Sequence, residues 1–118
     1  MQPHRFLLIS QHPALAELVG DALGQELRIT FANSSAEAVN LLRKQDCEAV
    51  LLDARSFHDC SEIRTEWDGP IVLLVPRGAK HTVLSGYDGG ADAHVPIPCD
   101  ARELLARVKS VMRRTGSD

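Results

Sequence analysis

Short, continuous apolar runs alternate along the chain with stretches in which apolar residues recur every three or four positions. The runs are typical of strands that a parallel sheet buries on both faces. The spaced stretches are typical of helices that bury one face against a core. The runs, which we interpret as five strands, lie at residues 6–9, 28–31, 49–52, 71–75 and 93–95.

The predicted helices lie between these strands and after the last one. Pro13 suits a first helical turn because the N–H that it lacks would have no partner there, and Gly24 can end the same helix. Ser34 and Glu37 have the spacing of a capping box, and Asp100 is expected to cap the last helix in a similar way. The five predicted helices fall within residues 13–24, 34–42, 57–67, 79–88 and 100–114.

Five strands that alternate with five helices predict a three-layer α/β fold, in which a parallel sheet lies between two layers of helices. The doubly wound, flavodoxin-like strand order 2-1-3-4-5 is the economical arrangement at this length. In such sheets, ligands bind beyond the carboxyl ends of strands 1 and 3. The side chains expected to converge there are those of Ser10, Gln11, His12 and Asp53.

Composition and charge exclude several classes of protein. The 118 residues are 44% hydrophobic and 25% charged, with a formal net charge of −3. These values are ordinary for a soluble globular domain and give no basic surface for nucleic acid or an anionic membrane. No apolar run approaches the roughly 18–20 residues of a membrane span. The three cysteines do not form a small-domain disulfide pattern, so we expect a cytoplasmic protein with reduced thiols.

Four segments of the sequence resemble the receiver domain of bacterial two-component response regulators, and together they extend over essentially the full chain. These segments are FLLIS, AVLLD, PIVLLVPRG and GADAHVPIPCDARELLARVKSVMRR. The last is the most specific, and it is similar to the end of the receiver in the winged-helix (OmpR/PhoB-like) subfamily of transcription regulators. The resemblance implies a CheY-like receiver domain over residues 1–114 and a linker, starting at 115–118, to a C-terminal DNA-binding domain.

The resemblance also implies a phosphorylation site made of five kinds of group. Asp53 matches the aspartate that accepts the phosphoryl group. The family's other groups are two acidic residues that help to hold Mg²⁺, a Thr or Ser, a Lys, and a switch aromatic. The corresponding positions here carry Ser10 and Gln11 for the acidic pair, Val75 for the hydroxyl residue, Ile97 for the lysine and His94 for the aromatic.

These replacements point to an atypical receiver, or pseudo-receiver, that has kept the fold and largely lost the phosphorylation chemistry. Ser10 and Gln11 offer neutral oxygens, so we expect Mg²⁺ binding to be weak or absent. An aspartyl phosphate would carry about two negative charges with few compensating donors. Arg55 or Arg77 could supply a cation, but neither occupies the matching position. We predict no catalytic residue and no cofactor, and we expect the chain not to be an enzyme.

In the resembling subfamily, dimers form through helix 4, strand 5 and helix 5 by means of charged pairs. The same homodimer is expected here, with a partly apolar surface. Asp88 and Lys109 match one pair, Glu103 faces Val83 in place of a base, and Arg107 faces Ala93 in place of an acid, with Asp92 next to it as a substitute. DNA would be bound only through the separate C-terminal domain.

Two alternative functions remain open. A degenerate receiver could still be phosphorylated at Asp53 by a histidine kinase, at reduced efficiency. Alternatively, the chain could be a stand-alone module that binds a protein partner or a small ligand. For such a ligand, Val75, Ile97 and Cys99 would form an apolar pocket.

Two further kinds of site could lie at the same edge of the sheet. His12, Asp53 and His58 come from adjacent loops and could bind a metal, although their spacing matches no metal-binding motif. Cys60 or Cys99 could act as a redox switch, which would require a lowered thiol pKa.

Overall fold

The computed structural model describes residues 4–23, 27–54 and 60–114, in which five strands and five helices alternate. The strands are β1 (His4–Ile9), β2 (Leu27–Ala32), β3 (Ala49–Asp53), β4 (Ile71–Pro76) and β5 (Ala93–Ile97). The helices are α1 (Pro13–Leu23), α2 (Ser35–Lys44), α3 (Ser61–Glu66), α4 (Lys80–Asp88) and α5 (Ala101–Arg114). Gly24, Arg55, His58 and the linker residues 115–118, which the predictions include, lie outside the described residues.

The five strands form one parallel sheet in the order β2-β1-β3-β4-β5. This order confirms the predicted doubly wound fold. The sheet changes winding direction between β1 and β3, so the carboxyl ends of these two strands lie side by side. Within the described residues, no helix is long and apolar enough to cross a membrane.

The core consists of two apolar clusters, one on each face of the sheet. Successive strand residues point to opposite faces, so Phe6 and Leu8 belong to the cluster with α1 and α5, whereas Leu7 and Ile9 belong to the cluster with α2 and α3. All four of these side chains are buried. The continuous apolar runs in the sequence reflect this burial on both faces.

The helix caps follow the predictions with one difference. The Ser34 hydroxyl accepts a hydrogen bond from the Glu37 N–H at 3.1 Å. The Glu37 carboxylate does not return to the N–H of Ser34, as a capping box would have it, but accepts from the N–H of Asn33 at 2.9 Å. At α5, the Asp100 carboxylate accepts from the Glu103 N–H at 2.8 Å.

Helix α3 occupies Ser61–Glu66 of the predicted stretch 57–67, whose first three residues lie outside the described residues. Cys60 precedes its first residue and Trp67 follows its last, and both pack with Ile63 in the same apolar cluster, as their spacing predicts. Close packing explains the glycine in the interior of α4. A Cβ at Gly86 would overlap the side chain of Leu73 on β4. The glycine therefore lets α4 approach the sheet.

Arg64 on α3 forms hydrogen bonds with the two turns that precede β4 and β5. The Arg64 guanidinium donates to the carbonyls of Gly90 at 2.7 Å and Gly69 at 2.8 Å, and to the Asp92 carboxylate at 2.9 Å. Asp92 also accepts from the N–H of Ile71 at 2.9 Å. We call this cluster of Arg64, Asp92 and the bonded backbone groups the Arg64 clasp, and no sequence pattern predicts it.

Candidate functional site

Asp53 is the last residue of β3, and its side chain is fully buried (0% exposed). The neighbouring strand β1 ends at Ile9, which brings the next residue, Ser10, to the same place. The Ser10 hydroxyl donates a hydrogen bond to the Asp53 carboxylate at 2.7 Å and accepts one from the N–H of His12 at 3.0 Å. A buried carboxylate is stable only when it is hydrogen bonded, and Ser10 supplies one such bond.

The other two residues of the β1–α1 loop lie at the surface. Gln11 is exposed, and its side-chain amide donates to the carbonyl of Asn33 at 3.3 Å. His12 is exposed as well. Of the residues expected to converge here, the structure therefore joins Ser10 and Asp53 directly, while the Gln11 amide bonds to the loop after β2.

Val75 and Ile97 occupy the ends of β4 and β5, where the resemblance implies a hydroxyl and an ammonium group. Val75 is buried in the cluster of α2 and α3, whereas Ile97 packs against the cluster of α1 and α5 together with Cys99. The prediction that Val75, Ile97 and Cys99 line one pocket is therefore wrong. Val75 pairs with Pro96 on β5, and paired residues of neighbouring strands point to the same face of the sheet. Ile97 is the next residue along β5, so its side chain points to the opposite face.

An apolar groove of about 380 Å³ does lie nearby, between α4 and the end of β5. We call it the α4–β5 groove. Its lining residues are Val75, Pro76, Arg77, Gly78, Ala79, Lys80, Val83, Leu84, His94 and Pro96. Val75 is the member that the sequence analysis connected with a ligand. The groove itself depends on how α4 is placed over β5, which local sequence does not specify.

His94, at the position of the switch aromatic, lies half-buried on β5 and lines the groove. Its Nδ1 is hydrogen bonded to the hydroxyl of Tyr87 at 2.9 Å, and the two rings meet edge to face with centroids 5.8 Å apart. Tyr87 was not among the predicted residues. It joins α4 to β5 across the surface that the resemblance assigns to dimerisation.

The residues predicted for the dimer surface lie on α4, on β5 and just before it, and on α5. Several of their charges already have partners within the chain. Arg107 forms an ion pair with Glu103 on the same helix at 3.3 Å. Asp92 belongs to the Arg64 clasp. Asp88 is exposed at the end of α4, whereas Val83, Ala93 and Lys109 are half-buried. The large apolar side chains exposed on α4 are Leu84 (63%) and Tyr87 (39%), which the sequence analysis did not single out.

The surroundings of the cysteines are those of thiols that fill space in the core rather than of reactive thiols. Burial, followed by the nearby Glu103 and Asp100, raises the pKa of the Cys99 thiol, and burial also raises the pKa of Cys47. Cys60 is buried and donates to the carbonyl of Gly86 at 3.4 Å. A raised pKa disfavours the reactive thiolate. No group of three or more potential metal ligands occurs among the described residues, which do not include His58.

Comparison with known proteins identifies the family. No family model matches the sequence. The chain is 32% identical over 123 aligned positions to the probable transcriptional regulatory protein TcrX of Mycobacterium tuberculosis, with 98% of this chain and 52% of that protein covered. It is 30% identical, with 98% and 54% covered, to the response regulator MprA of Mycobacterium sp. (strain KMS). The chain thus spans about half the length of these relatives.

Solved structures agree with the sequence relatives. The receiver domain of the response regulator TorR superposes with a TM-score of 0.83 at 24% identity and covers 95% of this chain and 98% of that one. The chain is a response-regulator receiver domain. The receiver domain of the sensor histidine kinase PA1611 from Pseudomonas aeruginosa PAO1 has the same fold (TM-score 0.82, 20% identity, 94% and 98% covered), and it was solved with magnesium in its active-site cleft.

The donor set of this receiver domain fits a magnesium ion poorly. Mg²⁺ requires near-octahedral oxygen ligands and is usually held by one or two carboxylates together with phosphate and water. Asp53 is the carboxylate that the described residues place at this site, and one of its oxygens already accepts from Ser10. The two positions of the family's acidic pair hold a hydroxyl and an amide.

Proposed function

We propose that this receiver domain is atypical and controls a transcription regulator largely without phosphorylation, through dimerisation or a bound partner. The observation that carries the proposal is the 2.7 Å hydrogen bond from Ser10 to Asp53. It places a neutral hydroxyl where the family has a carboxylate that binds metal. Asp53 is thereby a buried, hydrogen-bonded end of β3 rather than an open acceptor.

The fate of an aspartyl phosphate at this position supports the same proposal. A phosphoryl group adds about 1.5–2 negative charges, and these require cations and donors nearby. Val75 and Ile97 offer neither, and their side chains belong to opposite faces of the sheet. Arg77 is exposed and donates to the carbonyl of Pro98 at 3.2 Å. Among the described residues, which do not include Arg55, a phosphoryl group would thus lack the contacts that could hold it and transmit its presence. We further propose that the domain is not an enzyme.

In this proposal the output is an association state. The surface of α4, β5 and α5 presents exposed Leu84 and Tyr87 beside the charged Asp88. Buried apolar surface contributes more to a stable dimer than exposed ion pairs, which contribute about 0–1 kcal/mol each. The dimer would present a C-terminal DNA-binding domain in a cytoplasmic transcription regulator. The name of TcrX, a probable transcriptional regulatory protein, supports the role in transcription.

Intact-mass measurement after incubation with acetyl phosphate, with and without Mg²⁺, tests the proposal. We expect no gain of about 80 Da, the mass of one phosphoryl group, under conditions that label an ordinary receiver. A gain that Asp53→Ala abolishes would contradict the proposal. Sedimentation of the same samples should show a dimer at high micromolar concentration whether or not acetyl phosphate is present, and a monomer would contradict the dimerisation part.

The second candidate function is that of a degenerate receiver that a histidine kinase still phosphorylates. The observation in its favour is that Asp53 itself is present at the end of β3, next to the β1–α1 loop. Mg²⁺-dependent labelling of Asp53 in the experiment above would make this candidate the correct one.

A further inference from the structure

We propose that the α4–β5 groove binds a small apolar molecule that carries one carboxylate or a similar anionic group. This inference rests on the proposed function, because a receiver that does not read phosphate needs another input. The groove shares Val83 and Leu84 with the surface of α4, β5 and α5 through which association is proposed, so its occupant would alter the contacts that form the output.

The size and lining of the groove suit a small molecule. Its volume of about 380 Å³ lies at the lower end of the range of roughly 300–1,000 Å³ that is typical of ligand pockets. Val75 and Val83 are packed into the core beneath it, and Leu84 and Pro96 extend its apolar wall. Burying this surface beneath a hydrocarbon or aromatic body would stabilise a complex by the hydrophobic effect.

The charged residues around the groove favour a ligand with a negative charge. Arg77 and Lys80 line it, and no carboxylate does. Neither of these cations forms an ion pair among the described residues, in contrast to Arg43, Arg64 and Arg107. Arg77 bonds instead to the carbonyl of Pro98. An apolar floor next to these two cations is complementary to an amphipathic anion.

The backbone at the groove disfavours an extended peptide as the occupant. β5 is an edge strand, the kind of strand to which a peptide could add by backbone hydrogen bonds. Pro96 lies at the groove and has no N–H. On an edge strand, the nitrogen of a proline faces solvent. A peptide that added to the free edge of β5 would therefore find no N–H donor at Pro96. A compact ligand held by apolar contact and charge does not need it.

The binding of 2-naphthoate, followed by amide chemical shifts of the whole chain, tests the inference. We expect saturable shifts at the residues that line the groove, with a Kd of about 1 mM or tighter for a ligand of this size. The uncharged 2-naphthalenemethanol should bind at least about fivefold more weakly, because it lacks the charge-assisted contact. If both compounds bind equally, or if the shifts lie elsewhere, the proposed anion site is wrong.

Variants with matched controls separate the two parts of the site. Lys80→Gln should weaken 2-naphthoate binding by about fivefold and leave the neutral compound unaffected. Lys44→Gln, the same change on exposed α2, should alter neither. Leu84→Ser should weaken both compounds, and it should be tolerated by the fold because Leu84 is 63% exposed. Equal effects of the two lysine changes would overturn the assignment of the charge to the groove.

The remaining outcomes distinguish this inference from the proposed function. If an acidic amphipathic peptide shifts the groove amides and 2-naphthoate does not, the occupant is a protein segment and the small-molecule assignment is wrong. If neither binds and Asp53 is not labelled by acetyl phosphate, the ligand inference fails while the proposed function stands. If 2-naphthoate binds and Asp53 is also labelled, the phosphorylation-independent function is wrong and the groove remains a ligand site.

Discussion

Where β1 and β3 end, a buried carboxylate is hydrogen bonded to a hydroxyl, whereas an open apolar groove lies where β4 and β5 end. In the first half, Asp53 is fully buried and held by the Ser10 hydroxyl. In the second half, a groove of about 380 Å³ exposes apolar surface next to Arg77 and Lys80. The groups that would connect the two halves in the resembling family, a hydroxyl at the end of β4 and a lysine at the end of β5, are Val75 and Ile97 here.

This contrast separates two properties that a receiver normally combines. One half of the edge contains the phosphorylation position, and the other half contains the surface through which the state of the domain would be read. No polar side chain at residue 75 or 97 carries a change at Asp53 to α4. We therefore expect each half to respond to substitution without a large effect on the other, and three predictions test this expectation.

The largest effect is expected at the Arg64 clasp, which fixes the turns that precede β4 and β5. Arg64→Ala should lower the free energy of unfolding by about 2–4 kcal/mol, because carbonyls and the Asp92 carboxylate would lose charged donors in a partly buried site. Chemical denaturation measures the change. Because the clasp lies at the amino-terminal edge of β4 and β5, away from the carboxyl edge, the resonances around Asp53 should stay in place in the folded variant.

Arg43→Ala is the matched control for this substitution. Arg43 pairs with Glu66 at 2.8 Å, but the two side chains are 59% and 42% exposed, against 26% and 31% for Arg64 and Asp92. An exposed pair contributes about 0–1 kcal/mol. Equal losses for the two arginine variants would show that the clasp is an ordinary surface contact.

A smaller effect is expected at Gly86, which allows α4 to approach β4. Gly86→Ala should destabilise the domain by about 1–3 kcal/mol, since its Cβ would overlap Leu73 and force the helix or the side chain to move. Gly20→Ala is the matched change in α1, where the nearest atom, Phe31 Cζ, would lie at an ordinary 3.8 Å. There the better helix propensity of alanine should stabilise by about 0.5–1 kcal/mol.

Thermal or chemical unfolding of both glycine variants measures this difference in sign. Gly86→Ala should also change the size of the groove, which 2-naphthoate titration would detect. If both substitutions stabilise the domain, α4 does not pack on β4 as tightly as described.

The smallest effect is expected at Ser10. Ser10→Ala removes one donor from the buried Asp53 carboxylate and should cost about 1–2 kcal/mol, measured by urea denaturation. Ser85→Ala, on the exposed face of α4, is the control and should have almost no effect. Groove amides should not respond to Ser10→Ala. A response there would show that the two halves of the edge are coupled after all.

The sequence predicts most of the fold because the information is local. Runs such as residues 49–52 and 71–75 are apolar throughout, as burial on both faces of a sheet requires, and Ser34 caps α2 as its spacing to Glu37 indicates. The closing bond at α2 reaches Asn33 instead, a detail of loop geometry that residue types do not specify.

The candidate site was predicted less completely, for physical reasons. Ser10 and Asp53 meet because adjacent parallel strands end at the same edge, so topology alone places them together. The prediction that Val75, Ile97 and Cys99 form one pocket is wrong because the strand register places Val75 and Ile97 on opposite faces of the sheet. No sequence pattern indicates the Arg64 clasp, since its partners include the backbone carbonyl of Gly90 and the carboxylate of Asp92, both more than twenty residues away.

The Ser10–Asp53 hydrogen bond also bears on how this domain could evolve. A mutation of Ser10 to aspartate, one of the two changes towards the family's acidic pair, would place a second carboxylate against a fully buried one. Like charges at such a distance repel strongly when no cation lies between them, and Gln11 supplies no charge to help to hold Mg²⁺. We expect the first step of reversion to be destabilising, so a lineage that has acquired this serine would return to kinase control only through several coordinated mutations.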